Sequence, residues 1–195
     1  MECEKERGYC SVFNGRRNAL FPTWLWLTVM NVFRYTAIRQ NQLLHIRLGD
    51  INLEERWIDL SIEGARNHRE HRVPVVSALY PSLEYLVTKA GEAGMERNHQ
   101  VFNVGWFDLV RKHKYPEVMN EYPLRAFFRR LSRECKLTVT PHRFRHTVAT
   151  HMMKSPERNL YAVKKLLGHV SITSTLEYID ESVDSLRDIL ETELM

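Results

Sequence analysis

Apolar residues recur at every third or fourth position along most of the chain, and this spacing predicts amphipathic helices. The predicted helices cover residues 22–35, 40–47, 77–90, 123–135, a stretch that begins at 141, 160–167 and 182–194. Two of them have distinct ends. Thr140 can cap the N–H groups of the helix that begins with Pro141. Gly168 directly follows an apolar stripe that ends at Leu167, as is typical of a helix C-terminus.

The helix that begins at Pro141 divides its side chains between two faces. Phe144, Val148 and Met152 share one side and are expected to face the core. His142 and Arg145 are three positions apart, so they are neighbours on another side of the helix. This second side is the one that carries candidate chemistry.

A shorter part of the chain alternates between apolar and polar residues, as a half-buried strand does. Ile58, Leu60 and Ile62 are apolar and the residues between them polar, which predicts a strand. Residues 72–76 form a second predicted strand, and 63–71 form a polar loop between the two. The expected fold is therefore mainly α with a small antiparallel β-sheet, in the α+β class.

A chain of 195 residues fits one compact domain with short arms. We expect an N-terminal arm or linker over residues 1–19, the core domain over 20–181 and a C-terminal helical tail over 182–195. The tail combines an apolar stripe with an acidic opposite face. The stripe is expected to pack either on the core of the same chain or against a neighbouring protomer.

Composition narrows the possible environments of the protein. The apolar run over 24–33 is ten residues long, which is too short to span a bilayer, so no membrane association is expected. Three cysteines without the spacing of a disulfide framework or a zinc knuckle favour a reducing, cytoplasmic compartment.

The charge of the chain permits a nucleic-acid partner without requiring one, since the formal net charge is +4. Arg125, Arg129 and Arg133 repeat every four residues on one side of a predicted helix. This stripe is interpreted either as a solvated face or as a track for DNA phosphates.

The residues with the most distinctive chemistry lie between 140 and 178. His142, Arg145, His169 and Tyr178 occur there without a pair of acids, a Ser or Cys nucleophile in a recognised setting, or a glycine-rich phosphate loop. A tyrosine with Arg and His around it suits attack on a phosphodiester. Such chemistry needs a second guanidinium from elsewhere in the chain, and Arg39 can supply it.

In their order and spacing, Arg39, the His142-x-x-Arg145 pair, Leu-Gly-His169 and Tyr178 resemble the catalytic domain of the tyrosine recombinases, the phage integrase family. The resemblance implies that Tyr178 attacks a DNA phosphate and forms a 3′-phosphotyrosyl link. It assigns the two arginines to the phosphate oxygens, His142 to proton transfer and His169 to hydrogen bonding with the phosphate.

The resemblance also sets expectations about partners and cofactors. Double-stranded DNA is the implied substrate, and a tetramer assembled on DNA through the C-terminal tail is the implied oligomer. No nucleotide cofactor and no metal are implied, because the phosphotyrosyl link conserves the bond energy. The implied location is the bacterial cytoplasm, in association with the nucleoid. Family members usually carry an N-terminal DNA-clamping domain, for which the 38 residues before Arg39 are too few.

One departure from the family pattern affects the expected chemistry directly. The family places a general-acid Lys eight residues before the Pro that corresponds to Pro74, and this chain has Arg66 there. Arginine stays charged in proteins and is a poor proton donor. Arg66 is therefore expected to stabilise charge near the phosphate, His68 or His71 to donate the proton instead, or the site to be impaired.

Two further departures are milder. Ala37 stands where the family usually has Gly, and Gln42 stands where an acidic residue is usual. Three functions remain open on this basis: an active recombinase, a recombinase-fold DNA-binding protein that does not cut, and a topoisomerase-like enzyme that cuts and reseals without exchanging strands.

Overall fold

In the computed structural model, the predicted helices between residues 22 and 167 are present with ends close to the predicted positions. The predicted helix over 182–194 lies outside the described residues. The structure describes residues 12–13, 16–17, 19–64, 71–153, 160–168, 171 and 173–176. In chain order its α-helices are α1 Thr23–Thr36, α2 Gln40–His45, α3 Tyr80–Glu92, α4 Leu109–Lys112, α5 Tyr122–Cys135, α6 Pro141–Met153, α7 Leu160–Leu167 and α8 Thr173–Leu176. Short 3-10 turns occur at Leu48–Asp50, Ile62–Gly64 and Val104–Trp106.

Helix α1 is the centre of the main hydrophobic core. Its residues at helical spacing, among them Leu25, Val29, Val32 and Phe33, are at most 1% exposed. The aromatic rings of Trp26 and Phe127 stack at 4.6 Å between centroids, which joins α1 to α5. Val101, Phe102 and Val104 are also in this core. Burial of large apolar side chains on one face explains why this sequence forms a helix here.

The sheet has three antiparallel strands in the order β3-β4-β5, namely Ile51–Asn52, Trp57–Leu60 and His71–Pro74. Register is fixed by pairs such as Ile58 with Val73 and Leu60 with His71. The two predicted strands are confirmed with shorter bounds. The strand Ile51–Asn52 was not predicted, because two residues are too few to show alternation. A separate antiparallel pair, β1 Val12–Phe13 and β2 Arg16–Arg17, lies in the expected N-terminal arm.

A second, smaller apolar cluster joins the end of α1 to α6 and α7. Its buried members are Ala37, Ala149, Met153, Val163 and Leu167. The packing brings together segments that are far apart in the chain, and the candidate site lies beside this junction.

The predicted inward face of α6 packs on the core, but it is not the most deeply buried side of the helix. Phe144 packs against the main core and Val148 against the second cluster, but both are only partly buried. The fully buried side is instead formed by Arg145, Ala149 and Met153. The helix turns this side inward because buried hydrogen bonds satisfy the guanidinium of Arg145, as described below.

None of the described helices is long and apolar enough to cross a membrane.

Candidate functional site

A cleft of about 750 Å³ opens where the start of α2, one side of α5 and the start of α6 meet. Five of the residues singled out in the sequence line it: Arg39, His142, Arg145, Arg125 and Arg129. The remaining lining residues are Ile38, Gln40, Phe128, Ser132, Val139, Thr140 and Pro141. The described lining therefore contains four guanidinium groups and no carboxylate, which suits an anionic ligand.

Arg145 is the most buried charged residue of the cleft, at 6% exposure. Its Nη1 donates to the carbonyl oxygen of Ala37 at 2.7 Å, and its Nη2 donates to the carbonyl oxygen of Leu167 at 2.8 Å. Charge-assisted hydrogen bonds of this kind are stronger than neutral ones. The arginine thus ties α6 to the end of α1 and to the end of α7, and its own position is fixed by both.

Arg39 lies at the N-terminus of α2, with an extended backbone at φ −79° and ψ 153°. Its backbone N–H donates to Oε1 of Gln42 at 2.8 Å, and Gln42 is buried. Gln42, which replaces the usual acidic residue, is the third residue of α2, and its amide oxygen makes the reciprocal hydrogen bond of a capping box to the residue before the helix. This contact holds the backbone of Arg39 at the cleft through a neutral amide.

His142 is exposed in the first turn of α6, beside the residues that begin the helix. The hydroxyl of Thr140 accepts a hydrogen bond from the N–H of Arg143 at 3.2 Å, which confirms the predicted N-cap. Because Pro141 occupies the first helical position, the turn that carries His142 is well defined. His142 and Arg145 therefore reach the same cleft, one from its rim and the other from its interior.

The C-terminus of α7 is held by side chains from two other elements. His71, at the start of β5, donates from its ring Nε2 to the carbonyl oxygen of Leu166 at 2.9 Å. Arg145 binds the next carbonyl, that of Leu167. Gly168 follows with φ +62°, the left-handed conformation that ends helices. His169 comes next in the chain and lies outside the described residues, as do Arg66, His68 and Tyr178.

The loop that contains Arg66 starts from a close contact with α2. The side-chain amide of Asn41 donates to the carbonyl oxygens of Glu63 and Gly64 at 3.5 and 3.4 Å. A Cβ on Gly64 would lie 2.8 Å from the Cα of Gln42, so only glycine fits this approach. These contacts were not predicted. The glycine in the polar loop was their only signal in the sequence.

The stripe of Arg125, Arg129 and Arg133 is exposed along α5, as the sequence predicts. Arg125 forms an ion pair with Glu121 at 3.0 Å. In the part of the chain that the structure describes, no carboxylate pairs with Arg129 or Arg133. The stripe begins in the cleft and continues beyond it along the helix.

Comparison with known proteins agrees with this architecture. The family model described as the phage integrase family matches residues 18–184. A Pseudomonas aeruginosa protein described as a tyrosine recombinase XerC is 40% identical over 176 residues, covering 90% of this chain and 40% of that protein. Its Pseudomonas syringae counterpart is 37% identical, covering 90% of this chain and 37% of its own length. This chain thus spans well under half the length of both relatives.

Solved structures show the same fold at low sequence identity. The crystal structure of XerA recombinase matches with a TM-score of 0.67 at 19% identity, over 91% of this chain and 61% of that one. The integrase of transposon Tn1549, in complex with transposon right-end DNA, matches with a TM-score of 0.69 at 18% identity, over 89% and 64%. The mainly helical architecture with its small antiparallel sheet is that of a tyrosine recombinase catalytic domain. Fold and family match agree over most of the sequence, and the chain belongs to the phage integrase family.

Proposed function

We propose that this chain is the catalytic part of a site-specific DNA recombinase that cuts and rejoins double-stranded DNA through a 3′-phosphotyrosyl link. The observation that carries the proposal is the meeting of Arg39, His142 and Arg145 in one cleft without a described carboxylate. Arg145 and Ala37, which is two residues before Arg39, are 108 positions apart and in direct contact. Such convergence of cationic groups suits a phosphodiester.

The proposed reaction begins with Tyr178. Its phenol oxygen forms a bond to phosphorus while the bond from phosphorus to the 5′-oxygen breaks, so the number of phosphoester bonds stays constant. A phenol has a pKa of about 10, so it needs a base at neutral pH, and His142 is the proposed acceptor or relay of the proton. Arg39 and Arg145 stabilise the charge that develops on the non-bridging oxygens. The departing 5′-oxygen takes up a proton, and a 5′-hydroxyl reverses the sequence.

The Arg stripe of α5 supports duplex DNA as the substrate. Arg125 and Arg129 line the cleft and Arg133 continues the line along the same helix. Phosphates of a duplex are regularly spaced anions, and clustered arginines are their usual protein contacts. The DNA therefore enters the cleft by one phosphate and extends along α5.

Assembly and location are part of the same proposal. The apolar stripe of residues 182–195 supports a tetramer on DNA in which each tail packs against a neighbour. Because the proposed substrate is DNA, the proposed location of the protein is the bacterial nucleoid.

A DNA-binding protein that does not cut is the second candidate, and Arg66 favours it. A permanent cation stabilises a phosphate but does not protonate the leaving oxygen well. His71 was one of the two histidines expected to donate the proton in place of a lysine. Its ring Nε2 is hydrogen-bonded to the carbonyl oxygen of Leu166. The two candidates therefore differ in whether the chain cleaves DNA with Arg66 in place of the usual lysine.

Covalent capture tests the proposal. The protein is incubated with supercoiled plasmid and with a pool of nicked duplexes, the reaction is stopped with detergent, and DNA-linked protein is measured. Tyr178→Phe should abolish the adduct. Tyr161→Phe is the matched control, because Tyr161 is 75% exposed and lies on α7 outside the cleft. An adduct that survives in the Tyr178 variant would contradict the proposed nucleophile.

The Arg66→Lys variant separates the two candidates in the same assay. An adduct from the native chain shows that Arg66 is compatible with cleavage. An adduct only from Arg66→Lys, together with DNA retention by both proteins on a filter, would establish the non-cutting protein. Resealing without strand exchange would appear as relaxed plasmid without recombinant product.

A further inference from the structure

We propose that His71 is a positioning residue that clamps the C-terminus of α7 and thereby sets where the chain leaves for His169. The inference rests on the proposed function, since it concerns the same site. Its central observation is the hydrogen bond from the His71 ring to the carbonyl oxygen of Leu166, 2.9 Å long and joining residues 95 positions apart. A carbonyl only accepts, so Nε2 of His71 carries the donated hydrogen.

The acceptor is a group that the helix itself leaves unsatisfied. The last carbonyls of an α-helix have no intrahelical partner, and α7 ends at Leu167. Leu166 and Leu167 receive their donors from two different elements, His71 on β5 and Arg145 on α6. The end of α7 is therefore capped by tertiary contacts on both carbonyls.

The ring of His71 also packs against the turn that follows. A Cβ built on Gly168 would lie 3.5 Å from Cδ2 of His71, so the ring is at ordinary van der Waals distance from the side-chain position of residue 168. Gly168 has φ +62° and its N–H donates to the carbonyl of Lys165 at 3.1 Å. The imidazole of His71 and Gly168 thus lie together where α7 ends, directly before residue 169 in the sequence.

His71 is itself held on a rigid element. It is the first residue of β5 and pairs with Leu60, and its strand is paired along the length of β4. At the other end of the intervening loop, Gly64 packs on α2 just after Arg39. The segment 65–70, which contains Arg66, is therefore bracketed by one contact with the Arg39 helix and one with the helix before His169.

This arrangement gives His71 a role different from that of a general acid. A proton donor must reach the leaving oxygen, whereas the observed Nε2 hydrogen is directed to a backbone carbonyl. A residue that only holds the end of α7 needs a hydrogen-bond donor that reaches the carbonyl oxygen of Leu166. Glutamine has an amide donor at the end of its side chain but does not transfer protons near neutral pH. It therefore distinguishes the two roles.

Three variants test the inference: His71→Leu, His71→Gln and, as a control at an exposed histidine, His113→Leu. Single-turnover formation of the covalent adduct and equilibrium binding of a nicked duplex are measured for each. His71→Leu should slow adduct formation at least about 10-fold, because misplaced groups lose rate steeply. DNA affinity should change less than about 2-fold, since His71 does not line the cleft. His71→Gln should recover most of the rate.

Hydrogen–deuterium exchange over residues 160–168 provides a readout that does not depend on activity. His71→Leu should exchange faster there than the native chain, and His71→Gln and His113→Leu should not. Native exchange in the Leu variant would overturn the inference. So would a Gln variant with native exchange but no cleavage, which would make His71 a proton donor. If the native chain forms no adduct, the proposed function fails while the exchange data still decide the clamp.

Discussion

The guanidinium of Arg145 donates a 2.7 Å hydrogen bond to the carbonyl oxygen of Ala37, across 108 positions of sequence. Ala37 ends α1 in the left-handed conformation, with φ +52°. This conformation turns the chain sharply before Arg39, and the buried carbonyl oxygen of Ala37 accepts the hydrogen bond from Arg145. The two arginines of the proposed site are therefore coupled through the backbone.

Loss of the Arg145 side chain should destabilise the fold as well as the site. Hydrogen bonds to charged groups contribute about 1.5–3 kcal/mol each, and Arg145 makes two with buried carbonyls. Arg145→Met should lower the free energy of unfolding in urea by about 3 kcal/mol or more. Arg145→Lys keeps the charge but loses the two forked N–H donors of the guanidinium, so its free energy of unfolding should lie between those of the native chain and Arg145→Met.

Arg143→Met is the control for that experiment, since Arg143 is exposed on the same helix and donates to the carbonyl of Thr138. It should change stability by less than about 1 kcal/mol. Equal losses at 143 and 145 would show that the buried fork has no special importance.

Gly64→Ala should destabilise the root of the Arg66 loop. The new Cβ would lie 2.8 Å from the Cα of Gln42 and 3.2 Å from the carbonyl oxygen of Asn41, and backbone cannot move aside cheaply. Overpacking of this kind costs about 1–3 kcal/mol. Gly91→Ala is the matched control, because nothing lies within 4 Å of its Cβ position in α3, and it should stabilise by up to about 1 kcal/mol. Thermal unfolding of both variants measures the contrast.

Two residues with positive φ should respond differently to glycine. Lys136 ends α5 with φ +54° and is exposed, so Lys136→Gly removes strain and should stabilise by about 0.5–1 kcal/mol. Ala37 has nearly the same φ but is 1% exposed. Ala37→Gly loses a buried methyl group, which contributes about 0.8 kcal/mol, so its net effect should be close to zero. A larger gain at 37 than at 136, measured in urea, would refute this reasoning.

Arg129 should contribute to DNA binding through the salt-dependent part of the affinity. Arg129→Gln is expected to reduce the slope of log K against log salt by about 1. Arg130→Gln is the control, since Arg130 is bonded to Glu134 at 2.6 Å on the same helix. An unchanged slope for Arg129→Gln, in titrations of a labelled duplex, would remove it from the proposed phosphate track.

The free energy of unfolding should depend on pH in part through the carboxyl group of Asp50. Burial raises the pKa of its carboxyl above the ordinary value of 3.8, although the N–H and the charge of Arg47 oppose this effect. The folded state therefore binds this proton more tightly than the unfolded state, and the contribution of Asp50 falls as pH rises through the raised pKa. Asp50→Asn should thus be relatively more stable near pH 7 than near about pH 3. Urea unfolding of both proteins at the two pH values measures the free energy of unfolding of Asp50→Asn relative to the native chain. A relative stability of the variant that falls with rising pH would contradict the expectation.

The sequence by itself determined most of the local structure and the set of candidate reactive groups. Apolar spacing placed α1, α5 and α7 to within one or two residues, because helix periodicity is a property of neighbouring positions. The cap at Thr140 and the left-handed end at Gly168 were readable for the same reason. The order and spacing of Arg39, the His142-x-x-Arg145 pair, His169 and Tyr178 were sufficient to recognise the family.

The tertiary structure decided which of these groups are held, and by what. Periodicity on α6 identified Phe144 and Val148 as core-facing, and both pack on the core. It did not show that Arg145 is buried more deeply, because its acceptors, the carbonyls of Ala37 and Leu167, come from distant segments. The contact of His71 with Leu166 has no local signal either. Backbone carbonyls are the same in every sequence, so a hydrogen bond to one of them is visible only after the chain has folded.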